Sequence, residues 1–262
     1  MAESAERRSH LNLLESSRRL FELDPGADVE AGEGMLLGAG SSRHPTIANA
    51  AFRADDGIEP ARFLERAREF FASRGRGFAI WARAGIDADR ELIAAVEAAG
   101  CEQVYSMPEM LLRAPAEQPR AAEGVEIRRL ETAEEAEAYW RIAAASYASV
   151  GFPPEVFGYY EGLKRMEGDA AAVFLAHLDG EPVGIAMTIL SHDVAGVYWV
   201  GCLERARGRG IGRALTAAAT NRGFELGADV ASLQASHMGE PIYRAMGYET
   251  IWDYRLYHSP AG

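Results

Sequence analysis

Two short stretches of the chain carry residue types that can do chemistry. The first, Leu203-Glu-Arg-Ala-Arg207-Gly-Arg-Gly210-Ile-Gly212, lies between an apolar run and an apolar-striped segment of helical period. Glycines there let the backbone turn its N–H groups outward and approach a ligand without Cβ interference. A helix opening at Gly212 adds unpaired N–H donors and the positive end of its dipole, a combination suited to a pyrophosphate. Arg207, Arg209 and Arg213 add charge. The stretch is not a Walker loop, because no Gly-Lys-Ser/Thr follows, and its spacing is not that of the dinucleotide fingerprint. A tight strand-to-helix turn that merely needs glycines is the competing reading. The second stretch runs from Leu233 through Ser236 to Tyr243, Gly247 and Tyr248. Pro241 suits the first turn of a short helix and Gly247 its stop, which sets Tyr243 just beyond a strand end. A tyrosine hydroxyl there could protonate a departing thiolate. A core tyrosine with a satisfied hydroxyl is the plainer alternative.

Periodicity supplies the elements that must position these groups. In the second half, 125–130 reads as a strand, and Thr132-Ala-Glu-Glu135 is a capping box that opens a helix toward Ser149. Residues 171–178 and 183–190 are strands joined by Asp179-Gly180, a hairpin signal. A strand over 196–203 runs into the glycine loop and a helix over 212–226, followed by a strand at 230–235, a short helix at 240–246 and a strand at 250–257. This order predicts a mixed α/β sheet with helices on both faces. In the first half, 59–73 is an amphipathic helix whose Phe63, Ala67, Phe70 and Phe71 share a face. A strand at 78–82, a helix at 87–99 capped by Asp87 and stopped by Gly100, and a strand at 104–112 follow, with one or two strands in 35–52. The Pro-containing stretch 114–124 reads as a linker between an N-terminal α/β domain, 1–113, and a second domain, 125–262. Arg74-Gly-Arg-Gly77 imitates the glycine loop, but it follows a helix, so an anion there would meet carbonyls.

Composition narrows the function classes. The 262 residues carry 27 Lys+Arg against 39 Asp+Glu, a formal charge of −12. That balance argues against a nucleic-acid surface, which needs clustered cations. No apolar run reaches the length of a membrane span, and the start lacks the apolar stretch of a signal peptide, so the expected location is the cytoplasm. Cys101 and Cys202 cannot make a disulfide framework or a four-ligand zinc site, and no metal is expected.

The glycine loop, a helix, a strand, and then Ser236-x6-Tyr243-x3-Gly247-aromatic together resemble the GNAT superfamily of acyl-CoA-dependent N-acyltransferases. The resemblance covers 125–257, and Arg207-x-x-Gly210-x-Gly212 matches the family's acyl-CoA pyrophosphate motif. It implies a GNAT-like fold in the second half and, in the first, a smaller α/β domain reading as a degenerate GNAT-like partner, a tandem arrangement. It implies acetyl-CoA as cofactor, with pantetheine beside Cys202 and Leu203 and a nearby N–H on the thioester carbonyl. The pyrophosphate would rest on amides of Gly208, Arg209, Gly210, Ile211, Gly212 and Arg213 beside Arg207, with Ser236 bonding pantetheine and Tyr243 as general acid. The acceptor would be a primary amine of a small molecule or peptide. Two departures stand out. The glutamate base of some members falls at about Gly196, leaving His192, Asp193, Glu204 or water, and Ser236 replaces a common asparagine. A non-catalytic acyl-CoA-binding regulatory or scaffold module is the alternative, and a phosphate-ligand protein without CoA survives only if the fold differs. Cys202 reads better as a small buried hydrophobe than as a nucleophile. The stretch 151–160, with its aromatics and prolines, would wall the acceptor site or simply pack a helix pair. Monomer and homodimer are both open.

Overall fold

The capping box forms as the sequence requires: Glu135 N–H donates to Thr132 Oγ1, and the Glu135 carboxylate accepts from the Thr132 N–H, each at 3.2 Å. The computed structural model describes residues 3–119, 122–158 and 160–259. In chain order the elements are α1 (Ala5–Phe21), β1 (Asp28–Gly32), β2 (Met35–Ala39), β3 (Asn49–Arg53), α2 (Pro60–Ala72), β4 (Phe78–Ala84), α3 (Arg90–Ala98) and β5 (Glu102–Leu112). They continue with β6 (Val125–Arg129), α4 (Ala133–Ala148), β7 (Ala171–Leu178), β8 (Glu181–Ser191), β9 (Val194–Cys202), α5 (Ile211–Glu225), β10 (Val230–Gln234), α6 (Glu240–Ala245) and β11 (Glu249–Ser259). Two-residue turns close β7–β8 and β8–β9, with positive φ at Asp179 and Gly180 and at His192 and Asp193, the conformation that matches strand twist.

The chain falls into two compact units, and they are not the two halves expected from the sequence. One takes Met1–Ser16 and Met110–Glu249, the other Ser17–Glu109 and Thr250–Gly262. The expected boundary at 114–124 fails as a free linker on its described part, because Asn221 clasps it: the Ala116 N–H donates to Asn221 Oδ1 at 2.8 Å and Asn221 Nδ2 donates back to the Ala116 carbonyl at 3.0 Å. Residues 120 and 121 of that stretch lie outside the described residues.

The first unit is a mixed sheet in the order β6-β7-β8-β9-β10, flanked by the end of β5. The hairpins are antiparallel, and β9 and β10 are parallel. One face packs on α5 through Ile211, Leu215, Ala217 and Ala219. Gly223 of α5 is required there, since a Cβ would lie 2.1 Å from that of Ala195. The second unit orders its strands β1-β2-β3-β4-β11-β5. Its β11 comes from the chain's C-terminus and pairs antiparallel with β4 from Asp253↔Ala84 to Ser259↔Phe78. Its core is the predicted stripe of α2 against Leu37, Ile80 and Tyr257.

The helix expected over 87–99 is split. Residues Asp87–Asp89 form a 3-10 turn, and α3 begins at Arg90. Asp87 does not cap it, and neither does the Asp89 carboxylate, which is held by two buried guanidiniums: Arg53 at 2.7 Å and Arg83 at 2.8 Å. Burial raises the Asp89 carboxyl pKa, but the two arginines more than offset this and leave it lowered.

Candidate active site

Strands β9 and β10 pair over only three residues, Val230↔Val194, Ala231↔Ala195 and Ser232↔Gly196. Beyond that point β9 continues to Cys202 while β10 leaves it, so the two strands open into a wedge. The amides of β9 alternate between its two neighbours. The Leu203 N–H donates to the Val183 carbonyl of β8 at 2.8 Å, so the Cys202 amide is directed to the opposite, open edge. The Cys202 amide thus has no strand partner on that edge. Leu203 does not present its amide there. A bulge interrupts the β8–β9 ladder between Ile185 and Met187, and Trp199 opposite it has φ of 54°, a rare conformation for a bulky residue.

The wedge ends at the glycine loop. Gly208 and Gly210 both have positive φ, and Gly210 is the N-cap of α5, which has no capping side chain. The first-turn N–H groups of α5 thus have no capping side chain at the positive end of a 15-residue helix. Among the described residues, Arg205, Arg207, Arg209 and Arg213 form no ion pair with a carboxylate, and the Arg213 Nε is buried without a partner. In a chain of net charge −12 this is a local cationic patch. Arg207 reaches back along the loop, its Nε 3.4 Å from the Cys202 carbonyl and its Nη2 3.2 Å from Ser149 Oγ. Burial raises the Cys202 thiol pKa, opposed by Arg207 and Arg205, so the thiol is protonated at neutral pH and a poor nucleophile.

Tyr243 lies in α6, immediately past the end of β10, with its ring against the backbone of Gly239. A Cβ on Gly239 would lie 2.7 Å from that ring, so glycine permits the approach. Burial pushes the Tyr243 hydroxyl up to about 12, slightly opposed by the Thr216 hydroxyl beside it on α5. It is a neutral phenol at pH 7 and holds a proton to give. Ser236 Oγ accepts from the Gly239 N–H at 3.2 Å in the turn that leads into α6, and as a hydroxyl it still has its own proton to donate.

The structure separates two of the expected bases from this site. His192 and Asp193 form the β8–β9 turn, at the other end of the nine-residue β9 from the loop, roughly 20 Å or more along an extended strand. Arg8 holds that turn, donating to the His192 carbonyl at 3.2 Å and pairing with Asp229 at 2.9 Å. Glu204 is exposed in a 3-10 turn and caps Arg207 with its carbonyl.

Two groups of residues lie near β9, of which Trp140, Tyr147, Trp199 and Asn12 were not read from the sequence as site residues. The first is an aromatic wall: Trp199 packs at 5.2 Å on Tyr147, 5.3 Å on Phe157 and 6.2 Å on Trp140, which stacks on Tyr160 at 4.6 Å. The Tyr147 hydroxyl donates to the Val200 carbonyl at 3.3 Å. Phe157 and Tyr160 lie in the aromatic stretch 151–160 noted above, of which Tyr159 is outside the described residues. The second is Asn12 of α1, whose Oδ1 accepts from the Tyr198 hydroxyl at 2.7 Å.

The second unit has a comparable strand–loop–helix, from β3 to α2, with β3 and β4 parallel at Ala50↔Ala79 to Phe52↔Trp81. Its loop is acidic and already satisfied: the Ala54 and Asp55 amides donate to the Gly34 carbonyl, and the Asp56 carboxylate pairs with Arg83 at 2.5 Å. It offers no anion cradle. Gly75, in the imitation loop, closes the C-terminus of α2 with φ of 59°, consistent with its rejection above.

Among the described residues no helix is long and apolar enough to cross a membrane. A family model described as "Acetyltransferase (GNAT) domain" matches residues 111–239. A mycothiol acetyltransferase of Rhodococcus erythropolis is 30% identical over 224 residues, 78% of this chain and 70% of the relative. The mycothiol acetyltransferase of Thermomonospora curvata is 27% identical over 257 residues, 93% of this chain and 83% of its own. A solved GCN5-related N-acetyltransferase from Kribbella flavida superposes with a TM-score of 0.76 at 24% identity, covering 100% of this chain and 98% of that one. With the open β9–β10 wedge and the glycine loop in place, these likenesses lead to one conclusion: the chain belongs to the GNAT family and is an acetyltransferase.

Proposed function

We propose that the protein transfers an acetyl group from acetyl-CoA to a primary amine of a small molecule or peptide, by direct attack with both substrates bound. The observation that carries this reading is the continuity of the β9–β10 wedge with the uncapped, arginine-flanked N-terminus of α5. An extended pantetheine needs an unpaired strand edge, and a pyrophosphate needs clustered N–H donors; this chain has the two end to end. Acetyl-CoA supplies the activated acyl group as a thioester. The Cys202 amide at the open edge is oriented to pair with pantetheine. Amides from Gly208 to Arg213, aided by Arg207, Arg209 and Arg213, suit the pyrophosphate, and Ser236 can donate to the pantetheine arm. A β9 amide by the bulge would stabilise negative charge on the carbonyl oxygen. Tyr243, kept neutral by burial, gives its proton to the leaving sulfur.

The relatives named mycothiol acetyltransferase support a small-molecule acceptor, and the aromatic wall of Trp140, Tyr147, Phe157 and Trp199 favours one with an apolar face. The first unit, from α1 and 110–249, carries this chemistry, and the second unit is a degenerate GNAT-like copy without its own cofactor loop. Tyr243→Phe tests the reading. Turnover falls by about 100-fold while acetyl-CoA affinity stays within about twofold. Normal turnover in that variant would remove Tyr243 as the acid. Binding without turnover in the wild type would instead favour a non-catalytic acyl-CoA-binding module.

A further inference from the structure

At the root of the wedge, Gly196 has no room for a side chain. A Cβ there would lie 2.0 Å from Asn12 Oδ1, 2.4 Å from Tyr198 Cε2 and 2.5 Å from the Tyr198 hydroxyl. The space is thus taken by a phenol from β9 and a carboxamide from α1. Asn12 is held by its own donors: Nδ2 reaches the carbonyls of Ile189 at 3.0 Å and Val194 at 2.9 Å, and Ser191 Oγ at 2.9 Å. That fixes which end of the carboxamide faces Tyr198, so Oδ1 accepts the phenolic proton at 2.7 Å. Asn12 and Tyr198 are both buried. Ser232, register partner of Gly196 across the last paired rung, keeps a buried hydroxyl without a partner among the described residues. Gly196, Tyr198 and Gly201 share the face of β9 that meets α1 and α4, since Gly201 abuts Ser146, and the aromatic wall lies on that side.

We infer that Asn12 and Tyr198 form a neutral positioning pair for the nucleophile, with Asn12 orienting the Tyr198 hydroxyl so that its oxygen accepts an N–H or O–H from the attacking group. This inference rests on the acetyl-transfer reading. A hydroxyl that donates one bond still has acceptor lone pairs, but it is not a base, so the amine arrives already neutral. The nitrogen lone pair forms the C–N bond as the C–S bond breaks. The sulfur takes the Tyr243 proton, the nitrogen sheds its extra proton to water, and Tyr243 is reprotonated from water. One proton leaves and one enters. Asn12 acts through Tyr198 and does not itself meet substrate.

The test uses the full chain and measures thiol release from acetyl-CoA, with water alone and with a panel of primary amines from ethanolamine to benzylamine. Tyr198→Phe keeps the ring and removes only the hydroxyl. It lowers kcat about tenfold or more while the acetyl-CoA dissociation constant holds within about twofold. Asn12→Ala lowers kcat in the wild-type background but adds no further loss in the Tyr198→Phe background, as required if it works through that hydroxyl. A merely structural pair would lower acetyl-CoA affinity along with turnover, and the two kcat losses would be additive. Wild-type kcat in Tyr198→Phe overturns the inference and leaves the acetyl-transfer reading standing. A folded wild type that binds no acetyl-CoA, or releases no thiol with any nucleophile, overturns both.

Discussion

Replacing Asn12 with Ala asks whether α1 is part of the acetyltransferase unit or an ornament on it. The carboxamide satisfies the buried Ile189 and Val194 carbonyls and the Tyr198 hydroxyl, at 3.0, 2.9 and 2.7 Å. A buried polar group left without its partner costs roughly 1–3 kcal/mol. Three such groups give about 3–9 kcal/mol, toward the lower end where water enters the space. Stability of this kind of protein is only about 5–15 kcal/mol, so the loss is a large fraction of the whole. Urea unfolding followed by tryptophan fluorescence reads it as a drop in midpoint at nearly constant slope. Asn12→Asp keeps an acceptor for Tyr198 but sets a buried carboxylate oxygen against the Ile189 and Val194 carbonyls, so it loses at least as much. A loss below about 1 kcal/mol in Asn12→Ala would refute the reasoning and make residues 1–16 dispensable to the unit.

In the second unit, Asp89→Asn leaves Arg53 and Arg83 without their shared carboxylate in a site where all three side chains are 3% exposed. A destabilisation of about 3–5 kcal/mol is expected by urea titration, and a neutral variant would mean the network is not stabilising. The lowered Asp89 pKa contributes stability that is present above the ordinary carboxylate range and lost as pH falls through the folded value. At the alkaline end the sign reverses. Tyr243 is raised from 10.0 to about 12, so its share, on the order of 2–3 kcal/mol, is intact below pH 10 and lost as pH rises through 12. Phenolate absorbance at 295 nm should show a fraction of tyrosines resisting ionisation until the protein unfolds, and complete ionisation by pH 10.5 in folded protein would contradict it. Gly210→Ala meets no neighbouring atom but must hold φ of 74°, so it loses about 1–2 kcal/mol from backbone conformation alone. Acetyl-CoA should bind at one equivalent per chain, because the β3–α2 loop of the second unit is acidic and closed, and a second equivalent would place a site there.

Much of the first unit was legible because its signals are local. The Thr132 capping box, the Asp179-Gly180 turn and the strand–glycine–helix order depend on near neighbours in sequence, and each element formed within a residue or two of its expected bounds. The position of the glycine loop could be read for the same reason. What escaped was α1, since the residues it buries include Ser9, His10, Asn12 and Ser16. A helix that buries polar side chains carries little hydrophobic period, and the acceptors for Asn12 lie more than 170 residues away. The division into units escaped for a related reason: β11 pairs with β4 across some 170 residues of chain, and no composition shift marks such an exchange. The commitment of the Leu203 amide to Val183 was hidden as well, because ladder alternation depends on register and not on residue type.

The central claim, that the open β9 edge and the α5 N-terminus together hold acetyl-CoA, is tested most directly by calorimetric titration of acetyl-CoA into the purified full-length protein. The wild type is compared with an Arg207→Glu, Gly210→Asp double variant shown to be folded by circular dichroism. The account predicts saturable binding of one equivalent to the wild type and none to the variant, since the substitutions put two carboxylates where the pyrophosphate would rest. Equal binding by both proteins, or no binding by a folded wild type, would contradict it.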